Sequence, residues 1–577
     1  MLSFDLNRRL RPLLSTALAA FVLLALLTVS SVRAQDSAGA PGAPAAAPTT
    51  VPAPAAAAAP VPDPTGAATG AAADAFGMPT NQDIFTETDA AKQKADIDKI
   101  KKTEPYAAGM LDMIGHIKIA TNTAWTLNTG YLVLFMQAGF ALLTCGLIRK
   151  KNAGHLMMLN FAAYVIAFVG YYAVGYAFQF GAIGITPLAP GNLGGTPTLA
   201  HWLIPNWIGG TGFFMQGPAY DASVNTLMLF EIVFMETAGY IIVGAICERI
   251  TFGAFILCEI FMSTILYPIF GCWVWGGGWL SQLKMGHGYV DFAGSTVVHG
   301  IGGFAAMALA VILGPRLGKY NKEGKPVAFP AHNIVFVVTG TFILLYGWMG
   351  FNPGSTLGAT DLRISVVAVN TNLAAVFGAI TAMVLWNFMF KKPDISMACN
   401  GMLAGLVAIT APCAYVDAKS SCIIGVLAGL VVCAGVLFNE RVLKVDDPCG
   451  AISVHGYCGF LGGICLGLFA DGKYGQGQNG QGITEYMGTK GADLKGVTGL
   501  FYGDPKQFLV QVLGAVVMAA WAFGLTFIVF KIVNSVKSMR VSREAELEGL
   551  DVPEFGSLAY PEDEYPSSGI TSETGMS

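Results

Sequence analysis

Asp291-Phe-Ala-Gly-Ser-Thr-Val-Val-His-Gly300 opens one long apolar stretch of the chain, and Asp447-Pro-Cys-Gly-Ala-Ile-Ser-Val-His-Gly456 opens another. Both read D-x-x-G-x-x-x-V-H-G. In each copy the histidine, His299 or His455, lies eight residues past the aspartate, about 12 Å along a helix at 1.5 Å per residue. Each motif therefore carries an ionisable ring well inside an apolar helix, where such groups mark a transport path more often than they fill space.

Working outward, apolar runs near 20 residues recur at about 124–147, 156–179, 224–247, 252–275, 295–314, 333–351, 365–390, 397–416, 421–438, 451–469 and 508–533. Each is long enough to cross about 30 Å of hydrocarbon. The runs are continuous rather than alternating, which excludes a β-barrel. The sequence therefore predicts an all-α integral membrane protein of eleven transmembrane helices. The two motifs begin the fifth and tenth spans. Five is odd, so they enter from opposite faces, and the expected plan is a 5+5 inverted repeat plus a final helix. Inverted repeats share a site near the bilayer midplane, which brings His299 and His455 to one pore. Taken singly, each histidine has another reading as an interhelical hydrogen-bonding residue; their equivalent positions favour the pore.

Composition agrees. Hydrophobic residues make up 54% of the 577 residues and charged residues 12%, about half the charge of a soluble protein. The net charge of −4 and the lack of a long basic block argue against a nucleic-acid partner. Seven of the eleven cysteines sit inside apolar runs and none forms a CxxC pair, so neither a disulfide framework nor a metal site is expected. Histidines as ligands of a membrane metalloenzyme would need one or two further ligands, and no carboxylate or thiolate trio accompanies the pair.

Residues 1–34 read as a signal peptide: Arg8, Arg9 and Arg11 precede an apolar stretch from Leu13 to Val29, and Val32-Arg33-Ala34 offers a cleavage site. An uncleaved anchor is the alternative. Residues 35–118 read as an Ala/Pro-rich extracytoplasmic tether with a short helix before Ile119. Residues 119–535 form the transmembrane domain and 536–577 a cytoplasmic tail. With the processed N-terminus outside, inside loops hold twelve Lys and Arg residues against seven outside. The positive-inside rule then sets the C-terminus in the cytoplasm, in a multi-pass protein of the cell (inner or plasma) membrane.

Asp291 and Asp447 are expected to support their helix starts by accepting from exposed N–H groups. A neutral imidazole pair offers one donor and one acceptor per ring, which suits ammonia, water or a proton. A cation would rest first on aromatic faces. Phe230 and Phe234 share a helix face, Trp275 precedes Gly276-Gly277-Gly278, and Phe351 ends Gly347-Trp-Met-Gly-Phe-Asn352. Glu231 lies about 80° and Glu236 about 140° from the Phe230/Phe234 face, so Glu231 is expected to border the outer vestibule and Glu236 a neighbouring helix or subunit. The remaining histidines, His116, His155, His201, His287 and His332, are expected to be solvated.

The runs Gly146-Leu-Ile-Arg-Lys-Lys-Asn152, Val274-Trp-Gly-Gly-Gly278, the two histidine motifs, Asp446-Asp-Pro-Cys449, Glu546-x-x-Gly549-Leu-Asp551 and Phe555-Gly556 resemble the ammonium transporter family of the Amt/Mep type, from about Ala124 to Tyr560. The resemblance implies ammonium or ammonia transport without a cofactor and without enzymatic activity. It assigns Phe230, Trp275 and Ser355 to substrate recruitment, Phe234 and Phe351 to a gate, His299 and His455 to a twin-histidine pore, and Asp291 to structural support at the recruitment end. It further implies a homotrimer and a PII-type signalling protein at the cytoplasmic face. An ammonium sensor with the same fold is the alternative.

Overall fold

The computed structural model describes residues 90–181, 207–216, 222–361, 363–473 and 496–561. The expected signal peptide, the tether before Ala90, His201 and the last residues of the tail lie outside them. Among the described residues the chain is helical, with isolated bridges and no strand. A first helix, α1, runs over Ala90–Thr103. The apolar helices follow as α2 (Pro105–Leu147), α3 (Lys150–Phe180), α4 (Val224–Ile246), α5 (Phe252–Val274), α6 (Ser295–Leu313), α7 (Ile334–Thr356), α8 (Arg363–Phe390), α9 (Ile395–Thr410), α10 (Ala418–Leu443), α11 (Ile452–Phe469) and α12 (Pro505–Val536). Two short helices close the tail, α13 (Arg543–Glu548) and α14 (Asp551–Phe555).

Ten of these helices are long and apolar enough to cross a membrane. The eighth expected span appears as α9, whose 16 residues rise about 24 Å. α2 differs from expectation at its start. The surface helix and the first span are one helix of 43 residues, because no Gly or Pro interrupts Ile117 to Ala124, and the expected boundary at 118/119 falls inside it. Side-chain caps start four of the apolar helices: Thr251, Asn333, Asp394 and Asp417 accept from Ala254, Phe336, Met397 and Ser420 N–H.

Burial sorts the helices. α4 is buried almost throughout and packs against α2 and α6, whereas α7, α8 and α12 turn Phe342, Phe388 and Ile528 outward. A soluble surface seldom carries so much exposed apolar area; a lipid-facing one does. Near the end of α12, Ser535 Oγ donates to Ile532 O at 2.7 Å.

The heads of α6 and α11 are π-helical turns, Ser295–Gly300 and Ile452–Tyr457. Each follows a glycine with positive φ, Gly294 at 108° and Gly450 at 76°, a conformation that an L side chain would strain. The two turns meet at glycines. A Cβ on Gly303 would stand 2.1 Å from Gly456 N, and one on Gly459 would stand 2.4 Å from Ser295 O. Only this close backbone approach lets the two histidines touch.

Candidate functional site

Asp291 holds the head of α6. Its carboxylate accepts from Gly294, Ser295, Thr296 and Val297 N–H at 2.7–3.1 Å and from Thr296 Oγ1 at 2.5 Å. Its carbonyl accepts from Trp275 Nε1 at 2.8 Å, which orients the indole. Asp447 accepts from Ala451 N–H at 3.0 Å and Ile452 N–H at 2.8 Å. Asp291 thus satisfies four orphan donors at the start of α6, and Asp447 two at the start of α11. Burial pushes the Asp447 carboxyl up to about 7 against the pull of those two N–H groups.

Between these ends runs a column of rings. Phe230 lies 4.6 Å from Phe234, centre to centre, and Phe234 stacks on Phe351 at 3.9 Å and 20°. Phe234 also meets Trp275 edge-on at 6.3 Å. Phe351 lies 5.2 Å from His299, and His299 lies 5.3 Å from His455. The imidazoles join through their Nδ1 atoms at 3.2 Å. Ser355, next to Phe351 on α7, donates its hydroxyl to Phe351 O at 2.7 Å and keeps its lone pairs free to accept. Beyond His455 a cavity continues between Phe140, Tyr240, Asn400 and Cys449. Among the described residues no group of three or more His, Cys, Asp or Glu side chains converges to hold a metal.

The structure thus brings Phe230, Phe234, Trp275, Phe351, His299 and His455 into one line. Sequence reasoning missed Trp348, which stacks on His299 at 5.0 Å and 20° and is held by Nε1 donating to Thr410 Oγ1 at 3.0 Å. Its signal was available, since it stands three residues before Phe351 on the same helix face. Three expectations need correction. His332 is half-buried, its Nδ1 3.0 Å from Ile148 O and its Nε2 3.2 Å from the Tyr560 hydroxyl. His155 is fully buried at the start of α3, with its ring 5.6 Å from Phe555, because the tail folds over it. Glu231 faces α3 rather than an open vestibule, accepting from Gln179 Nε2 at 3.1 Å. Glu236 does face a neighbouring helix, accepting from Gln137 Nε2 of α2 at 2.9 Å.

A second polar cluster links the loops at one end of the bundle. Glu248 accepts from Arg149 N–H and from Arg316 Nη1 at 2.6 Å, and Arg316 also forks onto Asp446 at 2.8–2.9 Å. Burial pushes both carboxyls up, but the hydrogen bonds and charges of Arg316, with Arg149 on Glu248 and Arg249 on Asp446, outweigh it. Both carboxyls sit below the ordinary carboxylate range, Asp446 far below. The tail docks on this cluster. Glu546 pairs with Arg540 at 2.8 Å and accepts from Leu317 N–H; Asp551 accepts from His155 N–H.

The model of the Ammonium Transporter Family matches residues 124–560. The chain is 44% identical to "Ammonium transporter Amt2" of Archaeoglobus fulgidus, over 77% of this chain and 89% of that protein. It is 33% identical to "Ammonium transporter" of Bacillus subtilis, over 76% and 98%. Among solved structures it resembles a chain titled "Sensor Amt Protein" with a TM-score of 0.65 and 33% identity, covering 76% of this chain and 99% of that one. It also resembles Saccharomyces cerevisiae Mep2 with a TM-score of 0.62 and 28% identity, over 74% and 88%.

Proposed function

Since the chain belongs to the ammonium transporter family, we propose that it carries ammonium across the membrane by recruiting the ion, removing its proton and passing ammonia along the His299–His455 pair. The observation that carries this reading is the unbroken column from Phe230 to His455, closed by the 3.9 Å Phe234–Phe351 stack. Phe230 and Trp275 supply faces for a cation, and Ser355 an acceptor. A charged ion has no counter-ion between the stacked rings, and desolvation there disfavours it. Ammonia suffers far less, and below the gate the imidazoles replace its lost water with a donor and an acceptor. Asp291 and Asp447 keep the two histidine turns in place.

The rest of the reading follows the same lines. Eleven spans, α2 to α12 with α9 included, arranged as an inverted repeat, leave the tail in the cytoplasm. The chain works as a homotrimer, its N-terminal segment is removed as a signal peptide, and the docked tail is the contact for a PII-type protein. A second reading, an ammonium sensor, draws on the likeness to the chain titled "Sensor Amt Protein" and on the tail that reaches from the bundle to His155. Proteoliposomes holding the purified protein decide between them. An ammonium-evoked current or pH change supports transport, whereas ammonium binding without flux supports the sensor.

A further inference from the structure

Beside the inner half of the column, two carboxyl groups lie buried with almost nothing to bond. Glu236 on α4 and Glu259 on α5 are 1% and 0% exposed. Glu236 Oε1 and both oxygens of Glu259 have no hydrogen-bond partner. Among the described residues no Lys, Arg or His donates to either group, and the one donor is the Gln137 amide on Glu236 Oε2. The two side chains converge. A Cβ on Gly239 would stand 2.4 Å from Glu259 Oε2, and residues three apart on a helix are surface neighbours, so Glu259 reaches α4 next to Glu236. Tyr240, the following residue, stacks on Phe140 at 5.7 Å and lines the same cavity as His455. Tyr240 and Tyr164 of α3 are the other titratable side chains facing Glu236, and Cys258 adjoins Glu259.

Two bare carboxylates at this depth are far too costly to coexist. The missing partner must be a cation small enough to fit without altering the packing. We propose that Glu236 and Glu259 form an intramembrane acid pair that binds protons, and that Tyr240 couples its occupancy to the pore. The proposal rests on the transport reading above. An N–H bond of ammonium breaks, and the proton passes over the imidazole pair and the Tyr240 hydroxyl. An O–H bond then forms on the pair, which goes from one proton to two while ammonia moves on. The proton later leaves toward the cytoplasm and the pair resets; no electrons change hands.

The test uses the full chain in proteoliposomes, wild type and the E236Q, E259Q, E236Q/E259Q and Y240F variants. Infrared spectroscopy reads the carbonyl stretch of protonated carboxyl groups, and electrophysiology reads ammonium-evoked current against pH. The expected results are a buried carboxylic-acid band in the wild type that the double variant loses, together with loss of the wild-type pH profile of the current. Y240F keeps the band and shifts the profile. If the double variant does not fold, E259D and the single Gln variants serve, each changing the band and moving the profile. An absent wild-type band, or a double variant with the wild-type profile, overturns the pair; a wild-type profile in Y240F overturns the coupling. A wild type with neither ammonium-evoked current nor pH change refutes the transport reading instead, and the band's response to added ammonium then decides the pair alone.

Discussion

The Nδ1 atoms of His299 and His455 stand 3.2 Å apart, so one of them carries a hydrogen and the other does not. The ring that donates there presents a bare Nε2, and its partner presents Nε2–H. The pair is therefore polarised as a unit: reversing the shared bond reverses the character of both outer nitrogens. His299 Nε2 is buried without a partner, which leaves it available to a passing molecule.

From this relationship, His299→Asp or His455→Ala is expected to change selectivity or stop charge movement while the protein stays folded. Methylammonium and potassium fluxes measured beside ammonium current separate this from simple packing, which would lower stability by about 2–4 kcal/mol and spare selectivity. Unchanged current and selectivity in both single variants would refute the pore role.

Opening the gate should trade stability for permeability. Phe234→Ala removes the ring that stacks on Phe351 and lies tilted against Phe230 at a cost of about 3–5 kcal/mol. Methylammonium uptake should rise relative to ammonium current. A variant that melts lower yet keeps the wild-type ratio would assign the stack to packing alone.

The pH dependence of stability should have two limbs. Glu248 and Asp446 are held below their ordinary values, so their contribution is full above the unfolded-state values and is lost as pH falls below about 4. Asp447 is raised to about 7, so its contribution is full below the unfolded-state value of about 4 and is lost progressively as pH rises from there to about 7. The two limbs meet near the unfolded-state carboxyl values, so thermal melting in detergent should be highest at about pH 4 and fall as pH rises from there toward about 7. Arg316→Met, which takes its guanidinium from both Glu248 and Asp446 and leaves Glu248 to Arg149, should cost about 3–5 kcal/mol and shrink the acid limb. A melting curve flat across this range argues against both assignments.

A reporter active only in the cytoplasm should work when fused after Ser577 and fail when fused within the 471–506 loop. The opposite pattern would exchange the sides from which the two histidine motifs enter.

Truncation after Met539 removes Arg540, Glu546 and Asp551, which dock on Leu313, Leu317 and His155 respectively, but no ring of the column. The pore should survive and only the level or regulation of transport should change. A structure of the truncated protein with a disrupted His299–His455 contact would overturn this division.

The sequence by itself determined the solvent and the repeat. Apolar runs of spanning length report burial in lipid through composition alone, and the doubled D-x-x-G-x-x-x-V-H-G motif singles out His299 and His455 because matched spacing survives in one dimension. Asp291 was legible for the same reason, since a cap acts on residues three to six positions away. What α9 becomes, how α2 begins, and where Trp348, Glu231, Glu259 and His155 face were decided only by the tertiary structure. Trp348 looked like any aromatic residue in an apolar helix until α6 brought His299 under it. His155 looked solvated because the tail that buries it lies almost four hundred residues away. Glu236 and Glu259 are 23 residues apart on separate helices, and no local pattern records that Gly239 leaves room for one carboxyl beside the other. Contacts between helices depend on small residues that let backbones approach, and a glycine in the sequence does not say which neighbour will fill the space.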